Sequence, residues 1–342
     1  MILGSNIKVS ITIPCRNEEK YIAKCLDSIV NCSYSKDKLI VFVCDGLSDD
    51  NTIAIIKNYE EQYSFIKMLL NEKKTTQFAL NLGLKKSDAD IKIILGAHSE
   101  ISTDYVNECL NAFEISKEIG CVGGILENVI EDKVTAVISK AMSSSFGVGN
   151  AYFRTGNAEG YVDTVAFGAY KKEVFEKVGY FDEDLVRNQD DEFNFRLIKN
   201  GFRIYLSKKV KSKYFVRASF WKLYKQYFQY GYWKVYVNVK HKTVTTIRQL
   251  VPAMFVCLLF FGAIICFFFK ILLPIYLIGL IAYLGLALIF AARKYDSFNE
   301  IVKIVFAFFI LHFSYGLGYL EGIVNFVFLR NKPRNSSNNL SR

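Results

Sequence analysis

Two apolar runs, Leu250 to Phe269 and Ile271 to Ala292, constrain this chain more than any other feature. Each is close to the ~20 residues that cross a bilayer core, and Lys270 and Pro274 mark the break around them. A third run covers Ile304 to about Leu329. Up to about Thr246 the chain mixes charged and apolar residues as a water-soluble α/β protein does. The expectation is therefore a soluble domain followed by two to three membrane spans. Three spans leading from a cytoplasmic domain would leave the segment RNKPR (330–334) outside, against the positive-inside tendency. The alternative is a re-entrant or partly interfacial third run, interrupted by Gly316, Gly318 and Glu321.

The opening stretch MILGSNIKVSITIPCRNEE has no basic region followed by a sustained apolar one, so it does not read as a signal peptide. The soluble part is thus expected to stay on the cytoplasmic side of the cytoplasmic (inner) membrane. Eight cysteines are scattered without a CxxC pair, which reads as reduced core residues rather than a disulfide framework or zinc site. The net charge of +10 could suggest nucleic acid. Its densest basic stretch, SKKVKSKYFVR (207–217), precedes an aromatic-rich segment and the first span, so anionic membrane lipids are the expected partner and nucleic acid is not.

Within the soluble part, strand-like and helix-like segments alternate: KVSITIPC before RNEEKYIAKCLDSIV, LIVFVCDG before NTIAIIKNYEEQ, IKMLLNEKK before QFALNLGLKK, and IKIILGAHSE before DYVNECLNAFEIS. Repeated β-then-α units imply an α/β fold with a doubly wound, mostly parallel sheet and ligands at the carboxyl ends of its strands. Attention falls on Arg16 to Glu18, Asp45 to Ser48 and Gly96 to His98. Between Phe220 and Lys240 the residues Tyr224, Tyr227, Phe228, Gly231 and Val235 recur at helical spacing, as in an amphipathic helix lying in the membrane surface; a core helix is the alternative. The expected divisions are 1–217 (soluble α/β), 218–246 (amphipathic, interfacial), 247–330 (transmembrane) and 331–342 (polar tail).

The stretches PCRNEE, CDGLSDDNT, NEKKTTQFALNLG and DTVAFGAYKKEVFEKVGYFDEDLVRNQDDEFNFRLIKNG occur in an order that resembles the membrane-bound family 2 glycosyltransferases of GT-A fold. The similarity is greatest to the succinoglycan and capsular polysaccharide biosynthesis subgroup. The resemblance implies inverting transfer of a sugar from a UDP-sugar, UDP-glucose or a close relative, to a polyprenyl-diphosphate-linked saccharide acceptor, alongside other polysaccharide-assembly proteins. Such a reaction needs a base for the acceptor proton and positive charge for the departing diphosphate.

By this resemblance Asp190 is the candidate base. In a helix opening at NQDDEFNFR, Asp190 and Asn194 share a face while Asp191 turns away. The family's acidic pair followed by an arginine is matched in register by Arg196, but Gln189 stands where the first acid would be. Asp45 corresponds to the acid that binds the nucleoside, Pro14, Arg16, Asn17 and Glu18 to the first nucleotide loop, and Lys73 to a diphosphate contact. Gln229 and Trp233 of QYGYW resemble an acceptor-channel element whose arginine is here Tyr232, which favours addition of a single sugar over processive synthesis. Gln189, Asp191, Arg196, Gln229 and Trp233 are accordingly expected to bind the acceptor or support the site.

In the family, the strand matching IKIILGAHSE ends in acids that hold a divalent cation. Asp88 and Asp90 fit the pattern literally, but at the amino end of the strand, the wrong edge for a ligand. Gly96-Ala97-His98 stands at the carboxyl end with both acids replaced. His98 is the expected metal ligand, or else a direct diphosphate contact, and an imidazole suits Mn²⁺ better than Mg²⁺. Two other readings stand beside the transferase. A catalytically degenerate homologue could hold a nucleotide sugar or a partner without turnover. A transporter fails on economy, because about 240 residues of α/β protein precede any span and those spans carry only Glu321 and His312 as candidate pathway residues.

Overall fold

A computed structural model of the chain describes residues 7–216, 219–245, 247–293 and 297–333. Strands β1 (Val9–Cys15) and β2 (Leu39–Asp45) are rich in Val and Ile and almost wholly buried, as central strands covered on both faces must be. Helix α1 (Ile22–Val30) follows the first and buries Ile22, Leu26 and Ile29; α2 (Thr52–Gln62) follows the second. With β3 (Ile66–Leu70), α3 (Thr76–Lys86) and β4 (Ile91–Ile94) they complete a parallel half-sheet of order β3-β2-β1-β4.

The chain continues through β5 (Ser99–Ile101), α4 (Tyr105–Phe113) and β6 (Ile119–Val129) to three short helices, α5 (Lys133–Met142), α6 (Ser145–Val148) and α7 (Tyr152–Thr155). Then come β7 (Gly160–Val162), β8 (Ala166–Lys171), α8 (Lys172–Val178), α9 (Gln189–Lys199) and β9 (Arg203–Phe215). Strand β8 enters between β4 and β6 antiparallel to both, β9 runs parallel to β6, and β5 and β7 pair antiparallel with β9. The parallel run expected from the sequence therefore stops at β4, and the whole sheet is mixed.

Alternate residues of the strands feed opposite faces. Val41 and Val43 join α1, α2 and α4 in one core cluster, while Phe42 and Cys44 meet Ala79 of α3 on the other side. Leu80, Val174, Phe175, Phe193 and Leu197 draw α3, α8 and α9 into a further cluster. All eight cysteines are free and seven are buried; burial pushes the Cys44 thiol up to about 12, so these are packing residues, as expected.

The chain divides into two compact units. The first comprises the residues to Val129 with Ala151–Phe215, and the second comprises Ile130–Asn150 with the residues from Val216 on. Residues 130–150 thus group with the membrane-type helices and not with the rest of 1–217, which sequence reading did not anticipate. The expected boundaries at 217–218 and 246, and most of the tail, lie outside the described residues.

The second unit contains α10 (Phe220–His241), α11 (Val251–Cys257), α12 (Ala263–Phe268), α13 (Leu273–Ala292) and α14 (Phe298–Gly322). Among the described residues three stretches are long and apolar enough to cross a membrane: Val251–Phe268, Lys270–Ala292 and Phe298–Phe328. Helix α10 exists as expected, but its stripe is not laid open. Val235 is buried with Tyr315 and Tyr319 of α14, and Tyr227 packs on the same cluster. A Cβ at Gly231 would lie 2.0 Å from the Tyr315 carbonyl oxygen, and one at Gly318 2.0 Å from that of Phe228. The glycines that made the third run look interrupted are points of backbone contact within one continuous helix. At the other side of α14, His312 bonds through Nε2 to the Phe146 carbonyl (2.8 Å) and through Nδ1 to the Tyr283 hydroxyl (3.0 Å), fastening α6 to α13 and α14.

Candidate active site

The carboxyl ends of β1, β2 and β3 carry three loops that fold onto one another. Asn17, Leu47 and Lys74 each adopt a left-handed backbone (φ 53°, 57° and 62°), a conformation that costs a non-glycine residue roughly 1 kcal/mol or more and gathers at functional loops. Hydrogen bonds hold these turns in place. The Asn17 amide donates to Ser48 Oγ (2.8 Å), the Asp49 amide to Asn17 Oδ1 (3.0 Å), and the Glu18 amide to Thr52 Oγ1 (2.8 Å).

Asp45 ends β2 fully buried. Its Oδ1 accepts from the Ser48 amide (2.9 Å) and its Oδ2 from Ser48 Oγ (2.6 Å), while its carbonyl accepts from the Asn71 amide (2.7 Å). Of the other residues expected here, Pro14 and Arg16 are half-buried at the end of β1, and Lys73 is exposed on the β3–α3 loop.

At the end of β4, His98 Nδ1 lies 3.2 Å from Glu18 Oε1, with the two side chains 18% and 8% exposed. The imidazole also meets the Tyr214 ring edge-on at 5.0 Å. The loop after β1 and the strand-end histidine are therefore joined, a link that no spacing in the sequence could reveal. Asp88 and Asp90 sit at the amino edge of β4, where Asp88 pairs with Lys172 (2.6 Å) and Asp90 accepts from the Lys8 amide (2.8 Å). Gly96 has a steric reason. A Cβ there would lie 3.0 Å from the Phe167 ring, and Phe167 is itself left-handed (φ 49°) with its carbonyl held by the Tyr105 hydroxyl.

Among the described residues no three His, Cys, Asp or Glu side chains cluster as a cation cage. The two that converge, His98 and Glu18, fit a cation that arrives with a diphosphate and takes its remaining ligands from phosphate oxygens and water. They do not make a preformed site.

Helix α9 begins at Gln189 after a left-handed Asn188 (φ 59°), and three acids occupy its first turn, where the helix dipole favours negative charge. Asp190 is exposed and Asn194 buried on the same face. Asp190 Oδ1 accepts from the Asp191 amide (2.9 Å); Asn194 donates to Thr164 Oγ1 (3.2 Å) and its Oδ1 faces the Tyr170 hydroxyl (3.4 Å). Burial first, with Cys121 and Asp190 adding to it, holds the Tyr170 phenol well above its ordinary range, so it stays a neutral donor beside the carboxylate.

Arg196 spends its guanidinium inside the protein. It meets Glu192 through two bonds (2.7 and 2.8 Å) and the carbonyls of Val178 and Tyr180 (2.7 Å each). Asn81 of α3 donates to the Phe181 carbonyl (2.9 Å) and accepts from its amide (3.0 Å). Together they fix the turn that delivers α9. Gln229 and Trp233 belong to the second unit, where Trp233 is buried against Phe326 and Tyr236; covered ring faces make it a packing residue rather than an open stacking platform.

Residues 10–179 match the family described as glycosyl transferase family 2. The chain is 36% identical over 230 residues (65% of this chain, 71% of the relative) to the dolichyl N-acetyl-alpha-D-glucosaminyl phosphate 3-beta-D-2,3-diacetamido-2,3-dideoxy-beta-D-glucuronosyltransferase of Methanococcus voltae. It is 25% identical over 92% of its length to the succinoglycan biosynthesis protein ExoA of Rhizobium meliloti, of which it covers 95%. Among solved structures, the Pyrobaculum calidifontis mannosyltransferase PcManGT, in complex with GDP-Man and Mn²⁺, shares the fold with a TM-score of 0.54 at 18% identity; the match spans 69% of this chain and 64% of that one, less than two thirds of its length.

Proposed function

Since the chain belongs to glycosyl transferase family 2 and is a glycosyltransferase, we propose that it adds one sugar, with inversion, from a UDP-sugar to a lipid-linked saccharide at a membrane surface, in exopolysaccharide or capsule assembly. The observation that carries this reading is Asp190, exposed on the first turn of a helix whose entry turn is fixed by Arg196 and Asn81. In this mechanism the Asp190 carboxylate takes the proton of an acceptor hydroxyl as its oxygen attacks the anomeric carbon. The bond from that carbon to the diphosphate oxygen breaks, and the nucleoside diphosphate leaves. Asp45 and the loop from Pro14 to Glu18 hold the nucleoside, with Lys73 toward the diphosphate.

His98, with Glu18 beside it, would hold a divalent cation, which when bound neutralises charge on the departing diphosphate. Mn²⁺ over Mg²⁺ is our preference, because a neutral imidazole is a softer ligand than a carboxylate. The donor is proposed as UDP-glucose or a close relative. The Methanococcus relative, by its name, transfers a glucuronosyl group to a dolichyl phosphate sugar, so acidic sugars and polyprenyl phosphate or diphosphate acceptors belong in the substrate panel. The exposed Lys208, Lys209, Lys211 and Lys213 of β9 suit anionic lipids. On this reading the soluble unit faces the cytoplasm at the inner membrane, near other polysaccharide-assembly proteins.

The test is Asp190→Asn, which keeps shape but cannot accept a proton. Transfer of radiolabelled sugar into the lipid phase should fall by ~10²-fold or more while UDP affinity holds. Retention of more than about a tenth of the wild-type rate would exclude Asp190 as the base. The sparse cation ligands favour one competing reading, a nucleotide-sugar holder without turnover, and absence of both transfer and donor hydrolysis across UDP- and GDP-sugars would establish that instead.

A further inference from the structure

Arg154 and Thr155 form the end of α7, and each carries a buried polar atom with no hydrogen-bond partner among the described residues: Arg154 Nη1 and Thr155 Oγ1. Two such atoms on adjacent residues are unusual, since buried donors and acceptors are almost always paired. The Arg154 guanidinium lies over its neighbour Phe153 (5.2 Å to the ring centre) and beside Tyr214 (6.0 Å). Tyr214 is the ring that meets His98 edge-on at 5.0 Å. Arg154 is therefore one aromatic ring away from the strand-end histidine. The other end of the arrangement is equally fixed, because Tyr152 and Phe153 pack on the cluster that contains Phe193 of α9. No carboxylate among the described residues comes within ion-pair distance of Arg154, although the guanidinium is the side chain whose planar fork best matches a carboxylate or phosphate.

We propose that Arg154, with the Thr155 hydroxyl, forms an oxyanion subsite for an acidic group of a sugar substrate other than the donor diphosphate. The inference rests on the transferase reading above and deepens it. Two sources present the same chemistry: the phosphate of a lipid-linked acceptor and the carboxylate of a uronic-acid donor sugar. A structural arginine would look different, as Arg196 demonstrates by satisfying its nitrogens with one carboxylate and two carbonyls.

The test uses the full chain in nanodiscs of neutral lipid, and measures binding of UDP, UDP-glucose, UDP-glucuronate and undecaprenyl diphosphate to wild type, Arg154→Gln and Arg154→Lys. Arg154→Gln should leave UDP affinity unchanged and lower one anionic affinity by ~10-fold or more, the usual effect of losing a charge-assisted hydrogen bond. Loss confined to undecaprenyl diphosphate assigns the subsite to the acceptor. Loss of the preference for UDP-glucuronate over UDP-glucose assigns it to the donor sugar. Arg154→Lys, which keeps stem and charge but not the fork, should fall between, and carries the test if the glutamine variant melts early. Equal loss for UDP would return Arg154 to the donor diphosphate site, and no change in either anionic ligand would return it to packing; both overturn the subsite while the transferase reading stands. Failure of wild type to bind UDP at all would overturn that reading and the subsite with it.

Discussion

The two units hold themselves together by opposite means. In the first, strand-end loops are tied by side-chain hydrogen bonds and left-handed turns, and apolar residues close over two faces of a sheet. In the second, helices meet through bare glycine backbone, while Phe267, Ile271, Ile275 and Ile281 stand exposed. Of the three long apolar stretches among the described residues, Phe298–Phe328 is the most covered, with 50% of its apolar window buried against 11% for Lys270–Ala292. The difference is the one expected between a part built for water and apolar helices long enough to cross a membrane. In water, apolar contact supplies the drive and polar groups must be matched. In lipid, apolar side chains gain little from one another, so close backbone approach and a few polar bonds do the work.

The largest break in this contrast should come from the ion pair of the first unit. Arg196→Ala removes the guanidinium that pairs with the buried Glu192 and caps the carbonyls of Val178 and Tyr180. Loss of one member of such a pair costs about 3 to 5 kcal/mol. Hydrogen exchange of α9 amides should accelerate accordingly, while α14 amides remain protected. Acceleration in both helices would mean that the units do not melt separately.

The reciprocal break is Gly318→Leu. A Cβ at this position already collides with the Phe228 carbonyl, so α10 and α14 must separate, at a cost of about 2 to 3 kcal/mol. Thermal melting in detergent should register it, with UDP affinity intact. If melting is unchanged, the glycine contact contributes nothing and the stripe on α10 is free to face lipid.

Sequence made some of this legible and hid the rest for definite reasons. The β-then-α units up to β4 could be read because burial on both faces leaves continuous Val and Ile runs. Asp45, the Pro14 to Glu18 loop and the Asp190 helix followed from strand ends and a resemblance. The mixed half was not legible: β5 and β7 are three residues each and carry no usable period. Nor was the membership of residues 130–150 in the second unit, since their anchor, His312, is 166 positions from Phe146. The role of Gly96 depends on Phe167, and a glycine signals missing bulk without naming what fills the space.

That anchor offers a finer cut. His312→Leu removes the hydrogen-bond partner that the Phe146 carbonyl and the Tyr283 hydroxyl share, and should cost about 1.5 kcal/mol. Protease cleavage within 130–150 should then become faster, with α9 exchange unaltered. Unchanged cleavage would show that ring packing around Phe146 suffices to hold α6.

The smallest expected effect on stability is the most informative about the site. Gly96→Asp presses a side chain on the Phe167 ring, which must shift by a few tenths of an ångström, for about 1 kcal/mol. By sequence alone the substitution would restore a family acid and broaden cation use toward Mg²⁺. The structure gives a different expectation, because a Cβ at this position already presses on the Phe167 ring. Gly96→Asp alone should leave the Mn²⁺ and Mg²⁺ dependence of UDP binding nearly unchanged, and only the double variant with Phe167→Ala should bind more tightly with Mg²⁺. A double-mutant cycle on that affinity measures the coupling directly. If Gly96→Asp by itself matches the double variant, Phe167 is no obstacle, and the strand end lacks its acid for a reason other than space.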